Sequence, residues 1–198
     1  MVTERPFQPN LKEYQNVIST VRETDLGNPN EIDLYFQLLR DPNNSTHFSA
    51  FPDSPQALRD QLTQDGNHGY TAINVLNEPV GFALIQDAEP KQHDHWIAKL
   101  VLLSQLQGNR VGGQILDKLL KAGFTTPTSD NRLRTKLTAA VIMGVKDWER
   151  PFRLFRSRGF RVVGILENQV DVTTNGITTT HDVVRLEYLK KYWEAVYP

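Results

Sequence analysis

The sequence feature that constrains the fold most is an apolar segment that runs into a glycine-bearing loop and then into an amphipathic helix. The segment Leu100–Leu103 is continuously apolar, and the loop after it carries Gly108, Gly112 and Gly113. From Val111 onward, apolar residues recur at helical spacing on one face, while charged residues occupy the other. A strand, a short loop and a helix in this order predict a mixed α/β fold, because the helix must pack back onto the sheet that the strand joins.

The segments before this loop predict helices followed by a three-stranded meander. Apolar residues between Ile32 and Leu39 recur at helical spacing, and Ser54 before Pro55 is typical of a helix N-cap with proline at the first helical position. Strands are then expected over 70–76, 80–86 and 95–103. Asn43–Phe51 is polar and predicts an irregular segment.

The segments after the loop predict a strand, a helix and a hairpin. Leu137–Met143 is a short apolar run of the kind found in buried central strands. Asp147 is expected to cap a helix over Trp148–Arg158, and Gly159 is expected to end it. Asn175–Gly176 marks the turn of a closing hairpin. The whole order predicts a sheet that is partly antiparallel and partly parallel.

Composition excludes several classes of protein. The 22 basic residues nearly cancel the 23 acidic ones, which argues against a nucleic-acid partner, and the absence of cysteine removes disulfides and thiolate metal sites. No apolar run reaches the ~20 residues of a membrane span, and Met1–Asn10 is unlike a secretory signal. We therefore expect one cytoplasmic domain over 1–198, with no metal and no membrane partner.

The loop between the strand and the helix predicts a phosphate cradle. The first turn of a helix leaves backbone N–H groups unpaired and carries partial positive charge. Glycine lacks the Cβ that would keep a phosphate away from those groups, and Arg110 adds a positive charge beside them. The loop matches neither the P-loop pattern nor Gly-x-Gly-x-x-Gly. The competing interpretation is that the loop is only a tight turn.

In these residues the sequence resembles the GNAT acetyltransferase superfamily, whose acetyl-CoA signature is Gln/Arg-x-x-Gly-x-Gly/Ala between a strand and a helix. Gln107, Gly108, Val111 and Gly112 match its frequent form Gln-Gly-x-Gly-hydrophobic-Gly, although Arg110 stands where a glycine is usual. Downstream, residues 154–160 resemble the family's Leu-Tyr-x-x-x-Gly-Phe. The resemblance covers roughly residues 70–189.

The resemblance implies a central twisted mixed sheet of about six to seven strands, flanked by helices, in which two parallel central strands splay apart. These strands would be 97–103 and 137–143, and the pantetheine arm of acetyl-CoA would lie between them with its pyrophosphate on the loop. An acceptor amine would attack the thioester directly from the other side. The implied CoA-binding residues are Leu100, Val101, Leu102, Gln107, Gly108, Asn109, Arg110, Val111, Gly112, Gly113 and Phe155.

At the positions of the usual catalytic groups this sequence has aromatic residues. Phe155 occupies the place of a tyrosine that protonates the CoA thiolate, Trp148 that of an asparagine, and Trp96 lies near that of a glutamate base. His95, beside Trp96 and adjacent to Asp94, is the candidate catalytic residue, since a free histidine with a pKa near 6.5 can relay a proton. Alternatively, no base is needed, and ordering the reactants supplies much of the acceleration.

The acceptor and the partners are less constrained by sequence. His47, His68, Tyr70 and Asp53 are candidates for the acceptor side, with ordinary loop roles as the alternative. The arginines between 150 and 161 predict either a solvated helix face or contact with the CoA 3′-phosphate or an acidic acceptor. The aromatic C-terminal end predicts cover for a core edge or a homodimer contact; it consists of Tyr188, Tyr192, Trp193 and Tyr197.

Three hypotheses follow. The first is an N-acetyltransferase that moves an acetyl group from acetyl-CoA to a primary amine of a small molecule or peptide. The second is a catalytically silent acyl-CoA-binding module of the same fold, and the third is an unrelated α/β binding protein.

Overall fold

The fold is described from a computed structural model, which describes residues 17–45, 47, 51–87, 95–128, 131–174 and 176–196. The strands are β1 Ile18–Glu23, β2 Asn67–Asn74, β3 Pro79–Asp87, β4 His95–Leu102, β5 Lys136–Ile142, β6 Arg161–Thr174 and β7 Ile177–Leu189. The helices are α1 Pro29–Arg40, α2 Pro42–Ser45, α3 Pro55–Leu62, α4 Val111–Thr125, α5 Glu149–Ser157 and α6 Lys190–Val196. A 3-10 turn, Ser104–Leu106, joins β4 to the loop before α4.

The seven strands form one sheet in the order β1-β2-β3-β4-β5-β7-β6. All neighbouring pairs are antiparallel except β4 and β5, which are parallel. β4 and β5 lie at the centre of the sheet. They can run parallel because the crossover helix α4 connects them, as parallel neighbours require. The predicted fold class, a mixed sheet of six to seven strands flanked by helices, is confirmed.

The two parallel strands separate along their length. In the part of the chain that the structure describes, they pair only from His95 opposite Leu137 to Ile97 opposite Ala139. Beyond this point β4 continues to Leu102 beside β3, and β5 continues beside β7. The predicted splay of the central strands is therefore present, and it opens a gap in the middle of the sheet.

A β-bulge in β4 decides which way its side chains point. Ile97 is opposite Ile85 on β3, but the next partner of β3, Leu84, is opposite Lys99, so β4 carries one extra residue. Such a residue bends the strand and shifts its alternation. Before the bulge Ile97 packs on the α4 side of the sheet, and after it Val101 packs on the α1 side.

Helices cover both faces of the sheet. α1 and α3 pack on one face against Phe82 and Leu84 of β3. α4, α5 and α6 pack on the other, where Phe124 meets Trp193 with ring centroids 5.9 Å apart. Thus the aromatic C-terminal end covers a core edge, which confirms one of the two predictions made for this segment. Tyr197 lies outside the described residues.

Local sequence signals fix most helix ends. The Ser54 hydroxyl accepts a hydrogen bond from the Ala57 amide at 3.1 Å, so the predicted N-cap before Pro55 is confirmed. Gly159 has φ 91°, the left-handed conformation expected after a helix. The prediction that the Asp147 side chain caps the next helix is wrong, because Asp147 itself adopts φ 60° and α5 begins after Trp148 with no side-chain cap.

One further detail differs from expectation, because the segment predicted to be irregular, Asn43–Phe51, begins within the one-turn helix α2. Asn175 of the predicted hairpin turn lies outside the described residues. Among the helices that the structure describes, none is long and apolar enough to cross a membrane.

Candidate functional site

A cavity of about 650 Å³ occupies the gap between β4 and β5. Its walls come from both strands, from the loop before α4, from α5 and from α2 on the opposite face of the sheet. This volume lies within the range of small-molecule sites, about 300–1,000 Å³. The residues that line the cavity thus come from both sides of the sheet.

The loop from Gln107 to Gly113 forms one end of the cavity. Gly108 has φ 82° and Arg110 has φ 62°, and this pair of left-handed residues turns the chain into α4. Within the described part of the chain, the amides of Gly108, Arg110, Val111 and Gly112 donate to no acceptor. Unpaired amides at a helix N-terminus bind anions. This geometry suits a negatively charged group.

Cationic side chains surround these amides. Arg110, Arg153 and Arg158 line the cavity, and Nε of Arg158 lies 2.8 Å from a carboxylate oxygen of Asp117. The Arg158 guanidinium lies against Gly113, so close that a Cβ there would be 2.1 Å from its Nη2. Free amides and guanidinium groups are donors that suit a diphosphate, and the residues present therefore fit the pyrophosphate of CoA.

The strand residues predicted to bind CoA have side chains on both faces of β4. Leu100 and Leu102 line the cavity. The side chain of Val101 is fully buried on the α1 face, packed with Phe82 and its neighbours, and so lies away from the cavity. Phe155 lines the cavity and is buried, with its ring edge-on to Phe160 at a centroid distance of 5.0 Å.

The loop residues also differ in placement. Gln107, Gly108, Arg110, Gly112 and Gly113 line the cavity, whereas the side chain of Val111 is buried in the core. The two polar side chains of Gln107 and Asn109 are held by neighbours. The side-chain amide of Gln107 donates to Oδ1 of Asn44 at 3.1 Å, and that of Asn109 donates to the Gln105 carbonyl at 3.3 Å.

The other end of the cavity is formed by α2, the residue His47 that follows it, and Lys99 of β4. Asn44 ties this end to the strand, since its side-chain amide donates to the carbonyls of Leu38 and Leu102 at 2.9 and 3.1 Å. Among the described residues, Nδ1 of His47 is buried without a hydrogen-bond partner. Burial lowers the pKa of His47, and Arg150 lowers it further against the opposing effect of Asp147.

The structure does not bring His95 together with these residues. His95 begins β4 at the paired end of the parallel strands, and its Nδ1 lies 2.8 Å from Oδ1 of Asp87. Asp87 also contacts His68 at 3.1 Å and Arg134 at 2.7 Å. Three cationic or imidazole groups thus share one carboxylate, outside the cavity wall. Asp94, the expected partner of His95, lies outside the described residues.

Of the other polar candidates, some line the cavity and others lie outside it. Of His47, His68, Tyr70 and Asp53, only His47 lines the cavity in the part of the chain that the structure describes. The arginine run also splits. Arg150, Arg153 and Arg158 line the cavity, whereas Arg156 donates to the Phe160 carbonyl and Arg161 stacks on Tyr192.

Sequence reasoning missed two cationic residues of the cavity, Lys99 and Lys146. Lys99 sits in an apolar strand, and only its single charge there could have drawn attention to it. Trp96, which stands near the usual base position, lies outside the cavity under the Arg185 guanidinium, 4.9 Å from its ring centroid. No cluster of three or more metal-ligating side chains is present in the described segments.

Comparison with known proteins agrees with this geometry. Residues 32–139 match the acetyltransferase (GNAT) family. Spermidine N-acetyltransferase from Vibrio cholerae in complex with CoA and spermine superposes with a TM-score of 0.71 at 16% identity, covering 88% of this chain and 97% of its own. The manganese complex of spermidine/spermine N-acetyltransferase from the same organism gives 0.65 at 17% identity, covering 90% and 96%. No curated protein matches the sequence.

The solved structures show the fold, and the sequence match shows the family. The match spans more than half of the chain and includes β4, the glycine loop and α4. The hypothesis of an unrelated α/β binding protein is therefore wrong, and acetyl-CoA is the co-substrate. The chain belongs to the GNAT family of acetyltransferases.

Proposed function

We propose that the protein acetylates a primary amine of a small molecule or peptide by direct attack of that amine on acetyl-CoA. One observation carries the proposal: a single cavity is lined both by the Gln107–Gly113 loop, with its free amides, and by His47 and Lys99. Acetyl-CoA supplies an activated acetyl thioester. The chain has to hold the thioester in the β4–β5 gap and admit the amine from the α2 side.

The proposed CoA site consists of the loop and the outer part of β4. The amides of Gly108, Arg110 and Gly112 would donate to the diphosphate, and the guanidinium of Arg158 would add charge beside them. Where β5 departs after Ile97, the backbone of β4 is left to pair with the amide groups of the pantetheine arm. Leu100 and Leu102 would pack along that arm.

His47 is the proposed proton acceptor. Its imidazole lines the α2 end of the cavity, and its Nδ1 is buried without a partner among the described residues. Since burial lowers its pKa, the ring is neutral at pH 7 and can accept a proton. The amine nitrogen then bonds to the thioester carbon, the carbon–sulfur bond breaks, and the amine proton passes to His47.

The departing thiolate requires a different proton source. Phe155 occupies the position next to the cavity where a hydroxyl would serve, and its ring has no proton to give. We propose that the thiolate takes its proton from solvent, since thiols are acidic enough, with a pKa of about 8.5 for cysteine, for the thiolate to leave unprotonated. A catalytically silent acyl-CoA-binding module is the alternative function that Phe155 favours.

Two measurements test the function. Acetyl-CoA at ~100 times its dissociation constant is expected to stabilise the protein by about 2.7 kcal/mol, seen as a rise in Tm. CoA release over a panel of amines is then expected to depend on the amine. Stabilisation without release by any amine would favour the silent module, and no stabilisation at millimolar acetyl-CoA would contradict both functions.

The proposal also covers the number of domains in the chain. We propose that residues 1–198 act as one acetyl-CoA-binding domain, because the sheet that holds the cavity is built from strands spread between 18 and 189. A homodimer stays a prediction.

A further inference from the structure

The bulge in β4 makes a lysine side chain point into the acceptor half of the cavity. This half is the end formed by α2, His47 and Lys99. Lys99 follows the bulge and therefore faces the α1 side of the sheet with Val101, whereas Leu100 and Leu102 face the α4 side. Only 8% of Lys99 is exposed, and it lines the cavity together with Asn44 and His47. A positive charge thus lies beside the place where the amine must enter.

The rim of the same half is also cationic. Lys146 and Arg150 line the cavity where the chain leaves β5. Among the described residues that line the cavity, Asp147 is the only acidic one, and its carboxylate lies 3.7 Å from the Arg150 guanidinium. Both charges act on the imidazole of His47 across the cavity. The acceptor half therefore carries net positive charge in a chain whose total is −1.

The cations of the acceptor half are not needed at the proposed diphosphate site. The loop end already supplies free amides and the side chains of Arg110 and Arg158 for the diphosphate. The side chain of Lys99 faces the α1 side of the sheet with Val101, whereas the helix that the loop opens, α4, packs on the other side. Burial lowers the pKa of Lys99, since desolvation disfavours its charged form. An anion entering the acceptor half would stabilise that cation.

We propose that the acceptor is a small amine that also carries an oxyanion, either a carboxylate or a phosphate. This inference rests on the proposed function and specifies its substrate class. The oxyanion would pair with Lys99 and the rim cations Lys146 and Arg150, which leaves the amine free to face His47 and the thioester. The acceptor is small because about 650 Å³ must also admit the pantetheine arm. A polyamine would bring further positive charge to a cavity with one acidic side chain in its described lining.

The test uses pairs of amines that differ only in the oxyanion. The wild-type protein is first shown to be stabilised by acetyl-CoA and is then saturated with CoA. Calorimetric affinities are measured for glycine against glycinamide, for O-phosphoethanolamine against ethanolamine, and for spermidine. At least one acidic member is expected to bind about tenfold more tightly than its neutral partner and more tightly than spermidine, and the pair identifies the oxyanion.

The contrary results are equally specific. The inference is overturned by equal affinity within both pairs, by a lack of measurable binding, or by a preference for spermidine. The proposed function stands in each case as long as acetyl-CoA stabilises the protein. Loss of that stabilisation contradicts the proposed function itself.

Variants locate the charge that is responsible. Lys99→Gln is expected to reduce the preference for the acidic member about fivefold or more, whereas Lys99→Arg retains most of it. Arg150→Gln tests the rim if Lys99→Gln does not fold, and its smaller effect should fade at high salt because the residue is exposed. The control is Lys121→Gln, the same change at an exposed site on α4 outside the cavity. An unchanged preference in Lys99→Gln and Arg150→Gln alike would contradict the assignment.

Discussion

Gly112→Asp is expected to abolish measurable stabilisation by acetyl-CoA. The aspartate would place a negative charge among the free amides of the loop, beside the diphosphate. Like charges about 4 Å apart repel by about 4 kcal/mol near a protein surface, which corresponds to a roughly 1000-fold loss of affinity. The measurement is the Tm with and without acetyl-CoA at a concentration that saturates the wild type.

The unliganded protein should remain stable in this variant. A Cβ on Gly112 would lie 3.4 Å from Cδ2 of Leu154, an ordinary contact, and an acidic residue in the first turn of a helix is favourable. Gly112→Ala is the matched control, with the same Cβ and no charge, and it should retain most of the affinity. Comparable binding by Gly112→Asp and the wild type would place the phosphates elsewhere.

Arg134→Met is expected to destabilise the protein by about 3–5 kcal/mol, the cost of removing one partner of a buried ion pair. Arg134 is fully buried, and its guanidinium donates to Asp87 at 2.7 Å and to the carbonyls of Gly123 and Thr126 at 3.3 and 3.0 Å. Without it the Asp87 carboxylate loses the two hydrogen bonds that Arg134 donates. Urea unfolding measures the change, and Lys121→Met, exposed on α4, is the control.

The same cluster predicts a dependence on pH. Burial alone would raise the pKa of Asp87, but hydrogen bonds from His68, His95 and Arg134 outweigh it and hold the pKa well below its usual range. The carboxylate therefore stabilises the fold above its unfolded pKa of about 4, and this contribution is lost as the pH falls through the folded value. Asp87→Asn should flatten the decline in the free energy of unfolding below pH 4.

His95→Asn should lower the stability of the protein and leave its affinity for acetyl-CoA unchanged. A large loss of affinity instead would indicate that His95 belongs to the CoA site.

The elements around the site could be predicted because their signals are local. The apolar run before the loop, the glycines and the helical spacing after Val111 lie within about twenty residues, and Ser54–Pro55 marks its helix by itself. The splay of the central strands was expected only from the resemblance to a family. Asp147 shows where local signals fail, because its left-handed backbone, and not its side chain, turns the chain into α5.

The chemistry of the site depended on contacts that sequence spacing does not reveal. The bulge that turns Lys99 toward the acceptor half follows from the register between β3 and β4. His95 looked like a free histidine, yet it meets Asp87 across a hairpin, and that carboxylate also meets Arg134, which is 47 positions away. His47 reaches the cavity only because α2 packs beside the end of β4.

The central claim is that the free amides between Gln107 and Gly113 hold the diphosphate of CoA while the β4–β5 gap admits its thiol-bearing arm. A crystal structure of the CoA complex tests it most directly. We expect phosphate oxygens within about 2.7–3.2 Å of the amides of Gly108, Arg110 or Gly112, and the arm alongside Leu100 and Leu102. A diphosphate bound away from this loop, or an arm that lies outside the gap, would contradict the claim.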